Sequence, residues 1–154
     1  MNEICLQELH APGSRCFGCG PGNANGLRLK SFARKSEIVA SWQPAEQHQA
    51  FPGMLNGGII GMLLDCHSNW TAAWHLMLKG GLSQPPCTVT AEYAVKLLRP
   101  TPLDAPVELV ARVLEAADDR AVIEAVLSST GKIRATCRGT FVAVRAGHPA
   151  YHQW

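Results

Sequence analysis

The longest apolar stretch of the chain follows Gly57-Gly58 and ends at Lys79-Gly80-Gly81. A lysine suits the negative end of the helix dipole and glycines suit a helix C-terminus, so the pattern predicts one helix over Gly58–Leu78. Apolar residues occupy nearly all sides of this segment. A helix of that kind is predicted to be buried on most of its circumference.

Runs of alternating or β-branched residues on both sides of this helix predict strands. The runs are Leu27–Lys30, Glu37–Trp42, Thr88–Leu98, Val107–Leu114, Ala121–Leu127 and Ile133–Val144. Short turns at Asp118-Asp119 and Ser129–Lys132 indicate antiparallel hairpins. The order of two strands, one helix and four strands lacks the alternation of a doubly wound fold. The sequence therefore predicts an α+β fold, a curved antiparallel sheet of about six strands wrapped around one long central helix.

The length of 154 residues predicts one domain over residues 1–154. Residues 1–25 have no periodic pattern and are expected to be irregular, and the prolines and glycines of residues 43–56 predict a loop.

Composition excludes several classes of protein. Hydrophobic residues make up 47% of the chain and charged residues 17%, with a formal net charge of +2. This balance excludes a disordered chain and argues against a nucleic-acid binder held by charge. A secretory signal and a membrane-spanning segment are not expected, so a cytoplasmic protein with six reduced cysteines is favoured.

The start of the predicted helix is the first candidate for chemistry. The first N–H groups of a helix have no intrahelical acceptor, so they can hold an anion or a developing oxyanion. Gly57 and Gly58 would let a ligand approach this backbone closely. Asp65 lies two turns further on and is the only acid between Glu46 and Glu92. A carboxylate on such an apolar helix is costly unless it is paired or faces a cavity.

With these motifs in place, the sequence resembles the hotdog-fold acyl-CoA thioesterases of the PaaI-like branch. The matching segments are Cys16-Phe17-Gly18-Cys19-Gly20, Asn25-Gly26-Leu27, Pro52-Gly53-Met54-Leu55-Asn56-Gly57-Gly58, Leu63-Leu64-Asp65, Thr88–Glu92 and Leu98-Arg99-Pro100. The resemblance covers roughly residues 16 to 145. The element order of the hotdog fold agrees with the order predicted above.

The resemblance implies roles for individual residues. The Gly57 N–H would polarise the thioester carbonyl, and Asp65 would be the general base that activates water or the nucleophile that attacks directly. Thr90 would supply a hydroxyl that positions the water, although Thr88 is equally suitable by alternation. In this family the carboxylate and the glycine come from two subunits, so a homodimer or a dimer of dimers with sites at the interface is expected.

One position departs from the family pattern, since Asn56 stands where a histidine usually precedes the two glycines. An asparagine amide can hydrogen-bond a carbonyl or hold the loop, but it cannot exchange a proton. His48 or His67 could supply an imidazole, and His67 is expected to point away from Asp65 of its own chain. Asn69 follows Asp65 by one turn and shares its face.

The remaining candidates are weaker. Arg99, with Gly58, Asn69 and His48, is a candidate for substrate binding, and Arg99 is the first choice for the phosphates of coenzyme A. A metal or redox role for Cys16-Phe17-Gly18-Cys19 is disfavoured because no second ligand pair is evident in the sequence. The expected site therefore contains no metal and needs no cofactor.

Three functions compete for this sequence. The first is hydrolysis of an acyl-CoA thioester to a free acid and coenzyme A. The second is a hotdog enoyl-thioester hydratase or dehydratase, which typically needs a histidine paired with an acid. The third is an acyl-CoA-binding module without catalysis, which Asp65 argues against. The expected partners are acyl-CoA and a second copy of the chain. Neither nucleic acid nor a membrane is expected.

Overall fold

The computed structural model describes residues 3–152 and 154. In chain order, its elements are α1 (Leu6–His10), β1 (Phe32–Arg34), β2 (Glu37–Trp42), β3 (Gln49–Phe51), β4 (Met54–Leu55), α2 (Gly57–Gly80), β5 (Thr88–Leu97), β6 (Val107–Ala116), β7 (Arg120–Ser129) and β8 (Lys132–Ala143). A one-turn 3₁₀ helix over Glu46–His48 precedes β3.

Six strands form one antiparallel sheet in the order β1-β2-β6-β7-β8-β5, and α2 packs against it. Strands β3 and β4 form a separate small hairpin. The predicted architecture, an antiparallel sheet of six strands against one long helix, is confirmed. Strand β5 follows α2 in the chain but pairs with β8, so it lies at one edge of the sheet.

The alternation of β7 shows how the sheet forms the core. Ala121, Ile123, Ala125 and Leu127 are fully buried, whereas every second residue between them is more exposed. Strand residues two apart share one face of a sheet, so this face lies against α2. The turn into β8 places Thr130 and Gly131 at φ of 52° and 76°, as the tightest hairpin turns require.

Helix α2 is longer than predicted by one residue at its start and by two at its end. Gly81 ends it in the left-handed conformation with a φ of 61°, which glycine adopts without a steric penalty. The N–H groups of Gly81 and Leu82 bond to the carbonyls of Leu78 and Met77, which satisfies the last turn. In the described part of the chain, neither helix has the length and apolarity that crossing a membrane requires.

The prediction of a strand over Leu27–Lys30 is wrong, although its alternation correctly placed Leu27 and Leu29 in the core. The N–H groups of these two leucines bond to the carbonyls of Phe17 and Gly18, so a loop takes the place of a partner strand. Arg28 has a φ of 56°, which is incompatible with a continuous strand. The expectation that residues 1–25 are irregular is wrong where α1 forms. The loop predicted over residues 43–56 contains the 3₁₀ turn, β3 and β4.

Candidate active site

Asn56 forms the N-cap of α2. Its Oδ1 accepts hydrogen bonds from the N–H groups of Gly58 at 2.8 Å and Ile59 at 3.2 Å. Asparagine is a favoured residue here because its side-chain oxygen reaches the N–H groups that lack helical acceptors. Asn56 does not reach the Gly57 N–H, which has no hydrogen-bond partner among the described residues. The side chain that departs from the family pattern therefore stabilises the turn that presents Gly57, and it occupies the N–H of Gly58.

We expect Asn56→Ala to lower the free energy of unfolding by about 1 kcal/mol, because both N–H groups lose their acceptor. Asn56→Asp is the matched control, since its carboxylate retains the acceptor and favours the positive end of the helix dipole. Chemical denaturation monitored by circular dichroism measures both changes. Equal stability of the alanine variant and the wild type would show that the cap contributes nothing.

A cavity of about 300 Å³ opens beside Gly57. Arg99, Leu97 and Phe51 are among its lining residues, and Leu97 Cδ1 lies close enough that any side chain added at Gly57 would meet it at 3.0 Å. The Nη1 of Arg99 donates to the Ile133 carbonyl at 3.0 Å, which holds the guanidinium at the end of the sheet. Gly57 and Arg99 therefore share one cavity.

Asp65 is half-buried, and its Oδ1 accepts a 2.7 Å hydrogen bond from the Thr90 hydroxyl on β5. Burial raises the pKa of the Asp65 carboxyl, the Thr90 hydrogen bond lowers it, and negative charge at Cys16 raises it. The net shift is upward, which makes the ionised carboxylate a stronger base than an exposed aspartate. Of the two threonines that alternation left open, Thr90 is the one that contacts Asp65.

Asp65 and Thr90 face a second cavity of about 400 Å³, between α2, β5 and the loop that contains Cys16. Asn69 and Thr88 also line it, and the Asn69 amide donates to the Thr88 carbonyl at 3.4 Å. Asn69 Oδ1 and Thr88 Oγ1 are buried and have no hydrogen-bond partner among the described residues. The structure thus brings Asp65, Asn69 and Thr90 together in the wall of one cavity.

Gly57 and Asp65 do not share a cavity within one chain. They are eight residues apart on α2, which corresponds to about 12 Å along the axis. A thioester carbonyl is too small to touch both groups of the same chain.

Neither candidate histidine lines the Asp65 cavity. His48 Nδ1 accepts the Ala45 N–H at 2.9 Å, and its ring packs against Trp42 with centroids 4.9 Å apart. His67 is fully buried between Ser31 and the Ile38 carbonyl. His48 therefore holds the loop before β3, and His67 is a core residue that faces away from Asp65, as the helical spacing predicted.

Cys66 is not among the predicted site residues, and the structure places it against Cys16 and Cys19 in the wall of the Asp65 cavity. The three sulfur atoms lie within 4.8 Å of one another. The position of Cys66 directly after Asp65 on the helix is the one local signal in the sequence that it lies near the site. The sequence does not reveal that the distant Cys-x-x-Cys loop folds onto Cys66.

Several solved structures share this fold. A thioesterase superfamily protein from Shewanella loihica is 28% identical, with a TM-score of 0.66 over 81% of this chain and 98% of that one. The Escherichia coli PaaI protein, from the phenylacetic acid degradation operon, is 16% identical, with a TM-score of 0.63 over 77% and 81%. A Streptococcus mutans protein bound to acetyl CoA is 14% identical, with a TM-score of 0.63 over 75% and 88%. No family model and no curated protein sequence matches the chain.

Proposed function

Because the chain has the hotdog fold of thioesterase superfamily proteins, we propose that it hydrolyses an acyl-CoA thioester to a free acid and coenzyme A. The observation that carries this proposal is the Asp65 carboxylate, which the Thr90 hydroxyl holds at 2.7 Å in the wall of a cavity. A thioester is an activated acyl donor, so one carboxylate and one polarising N–H can suffice for its hydrolysis. The acetyl CoA in the Streptococcus mutans neighbour supports an acyl-CoA as the ligand class.

In the proposed reaction, Asp65 takes a proton from a water molecule as the water oxygen attacks the carbonyl carbon. The carbonyl oxygen becomes negative and is stabilised by the Gly57 N–H at the positive end of α2. The C–S bond then breaks, and the sulfur leaves with a proton as coenzyme A. Direct attack by the Asp65 carboxylate, followed by hydrolysis of the resulting anhydride, gives the same products.

We propose that the functional unit is a homodimer in which Gly57 of one subunit faces Asp65 of the other. The separate cavities of Gly57 and Asp65 support this arrangement, and so does the edge strand β5. Tyr93 and Leu97 on this strand are 45% and 58% exposed, and an unpaired strand edge with apolar side chains favours pairing with another chain. Sedimentation equilibrium should give a dimer or a dimer of dimers, and a fully active monomer would contradict the arrangement.

A panel of acyl-CoAs with short, long and aromatic acyl groups tests the activity. Cys16 is exposed and would react with thiol reagents, so loss of thioester absorbance and chromatographic detection of coenzyme A are the better readouts. We expect stoichiometric release of coenzyme A and acid from at least one member. Hydration of an enoyl-CoA without release of coenzyme A would favour the hydratase, and binding without turnover would favour the binding module.

We expect Thr90→Val to lower kcat about 10- to 100-fold, because a hydrogen bond to a charged group contributes about 1.5–3 kcal/mol. Loss of this donor also raises the pKa of Asp65, so the acidic limb of the kcat profile should move to higher pH. Thr90→Ser retains the hydroxyl and should remain close to the wild type in both respects. An unshifted pH profile in Thr90→Val would contradict the positioning role of this residue.

A further inference from the structure

Cys16, Cys19 and Cys66 form a compact group of thiols where the Cys-x-x-Cys loop meets α2. Their Sγ atoms all lie within 4.8 Å of one another, and the Sγ atoms of Cys16 and Cys66 are 3.8 Å apart. With Zn–S bonds of about 2.3 Å, two sulfur ligands of a tetrahedral zinc ion are separated by about 3.8 Å. The distance between the Cys16 and Cys66 sulfurs equals this edge, and the other two pairs lie within 4.8 Å, whereas a disulfide would need about 2.05 Å.

The backbone holds the loop in this position. The N–H groups of Leu27 and Leu29 bond to the carbonyls of Phe17 and Gly18, and the Gly20 N–H bonds to the Cys16 carbonyl at 2.8 Å. Any side chain at Gly18 would collide with the Cys66 sulfur. Glycine at this position therefore lets the loop lie directly against the helix, so that the three sulfurs are brought together before any ligand binds.

The chemistry of the three side chains suits a thiophilic cation. Cysteine sulfur is a preferred ligand of Zn²⁺. Cys19 and Cys66 are buried and Cys16 is exposed, so the group lies where the loop meets the helix and one of its members is open to solvent. A bound cation would offset the negative charge of three neighbouring thiolates, which this partly buried position would otherwise disfavour.

We propose that Cys16, Cys19 and Cys66 are the protein ligands of a thiophilic divalent cation, with Zn²⁺ as the best fit. Binding displaces the thiol protons to solvent and forms three metal–sulfur bonds, with no change of oxidation state. The three cysteines also line the cavity of Asp65, Asn69 and Thr90, so a fourth ligand such as water has access from that side. The ion would join the N-terminal loop to α2 one residue from Asp65, and the thioesterase reaction proposed above proceeds without any step at the metal.

Metal content and cobalt spectroscopy on the full chain test this site without reference to activity. Reduced protein prepared without chelators should contain about one Zn²⁺ per chain by atomic emission. Titration of the reduced, metal-free protein with Co²⁺ should produce thiolate-to-cobalt charge-transfer absorption and the intense visible bands of tetrahedral coordination. Protein that is free of zinc and gives no such absorption with excess Co²⁺ would overturn the proposal.

Cys16→Ser is the decisive variant because Cys16 is exposed, so its replacement does not disturb the core. We expect it to weaken Co²⁺ affinity at least about 100-fold, since loss of a direct ligand should exceed the 10- to 100-fold effect of losing an outer-shell partner. Cys87→Ser is the matched control, because Cys87 is a buried cysteine outside the group whose sulfur accepts the His152 N–H, and it should bind Co²⁺ as the wild type does. Equal affinity in Cys16→Ser and Cys87→Ser would overturn the assignment, as would a peptide map of the purified protein that shows a disulfide between two of the three cysteines.

Discussion

Asp65→Asn should lower kcat for acyl-CoA hydrolysis by about 10² to 10⁴, the range typical of a lost general base. The substitution keeps the size and shape of the side chain, and its amide oxygen can still accept the Thr90 hydrogen bond. It removes the group that takes a proton from water and also the group that could attack the thioester directly. Steady-state kinetics on the best acyl-CoA of the panel measures the change.

The same variant should retain its fold and its affinity for ligand. Burial raises the pKa of the Asp65 carboxyl, so the ionised carboxylate lowers the free energy of unfolding of the wild type. The neutral amide should therefore leave the melting temperature unchanged or raise it. Calorimetry with a non-hydrolysable thioether analogue should give an affinity close to that of the wild type. Asp118→Asn is a matched control, because Asp118 is fully exposed and pairs with Lys79 on the surface. Full turnover by Asp65→Asn would rule out the proposed mechanism.

His67 should make the protein sensitive to acid between pH 6.5 and pH 4. The ring is 0% exposed, its Nε2 lies 2.9 Å from the Ile38 carbonyl and its Nδ1 lies 2.9 Å from the Ser31 hydroxyl. A neutral ring that donates from Nε2 and accepts at Nδ1 satisfies both partners. Burial lowers the pKa of His67 to about 4, while the Ile38 hydrogen bond opposes this shift.

The sign of the effect follows from proton binding. Between pH 6.5 and pH 4, the unfolded chain takes up a proton at His67 that the folded chain excludes, so the free energy of unfolding falls as the pH falls. The full difference corresponds to about 3 kcal/mol, from 1.36 kcal/mol for each pKa unit. Urea denaturation at intervals of half a pH unit measures this slope.

His67→Gln removes the imidazole that binds the proton and keeps an N–H donor for the Ile38 carbonyl. We expect this variant to be less stable than the wild type at neutral pH, because the Ser31 hydroxyl loses its acceptor. Its stability should decline less steeply between pH 6.5 and pH 4. His148→Gln replaces an exposed histidine and should retain the wild-type slope. Parallel slopes for His67→Gln and the wild type would contradict the proposed origin of the acid sensitivity.

The features that sequence predicted well depend on local patterns. Helix α2 and the four strands that follow it have strong periodicity and clear turn residues, and their boundaries were predicted to within about two residues. Leu27–Lys30 has the alternation of a strand, but its N–H groups are satisfied by a loop that folds back from elsewhere in the chain. Periodicity reports which side chains are buried, and it does not report which backbone groups are paired.

The candidate site shows the same limit. Asp65 and Gly57 stand out because a lone acid and paired glycines are unusual on a buried helix. The choice between Thr88 and Thr90 required the register of β5 against α2, and the position of Cys66 beside Cys16 and Cys19 required the path of the N-terminal loop. Contacts between segments far apart in the chain set both arrangements, so no local pattern could reveal them.

The strand order also has a consequence for how the chain folds. Strands β6, β7 and β8 join through short turns, whereas β2 reaches β6 only across the roughly 65 residues that separate Trp42 from Val107. The entropy of closing so long a loop exceeds that of a four-residue turn by about 2–3 kcal/mol. We expect the β6–β8 meander to gain hydrogen-exchange protection first during refolding, and β2 amides protected equally early would contradict this order. A folding intermediate of this kind would have a formed sheet centre before β5 pairs with β8, so the contact between Asp65 and Thr90, and with it the chemistry of the site, would arise only when β5 joins the sheet.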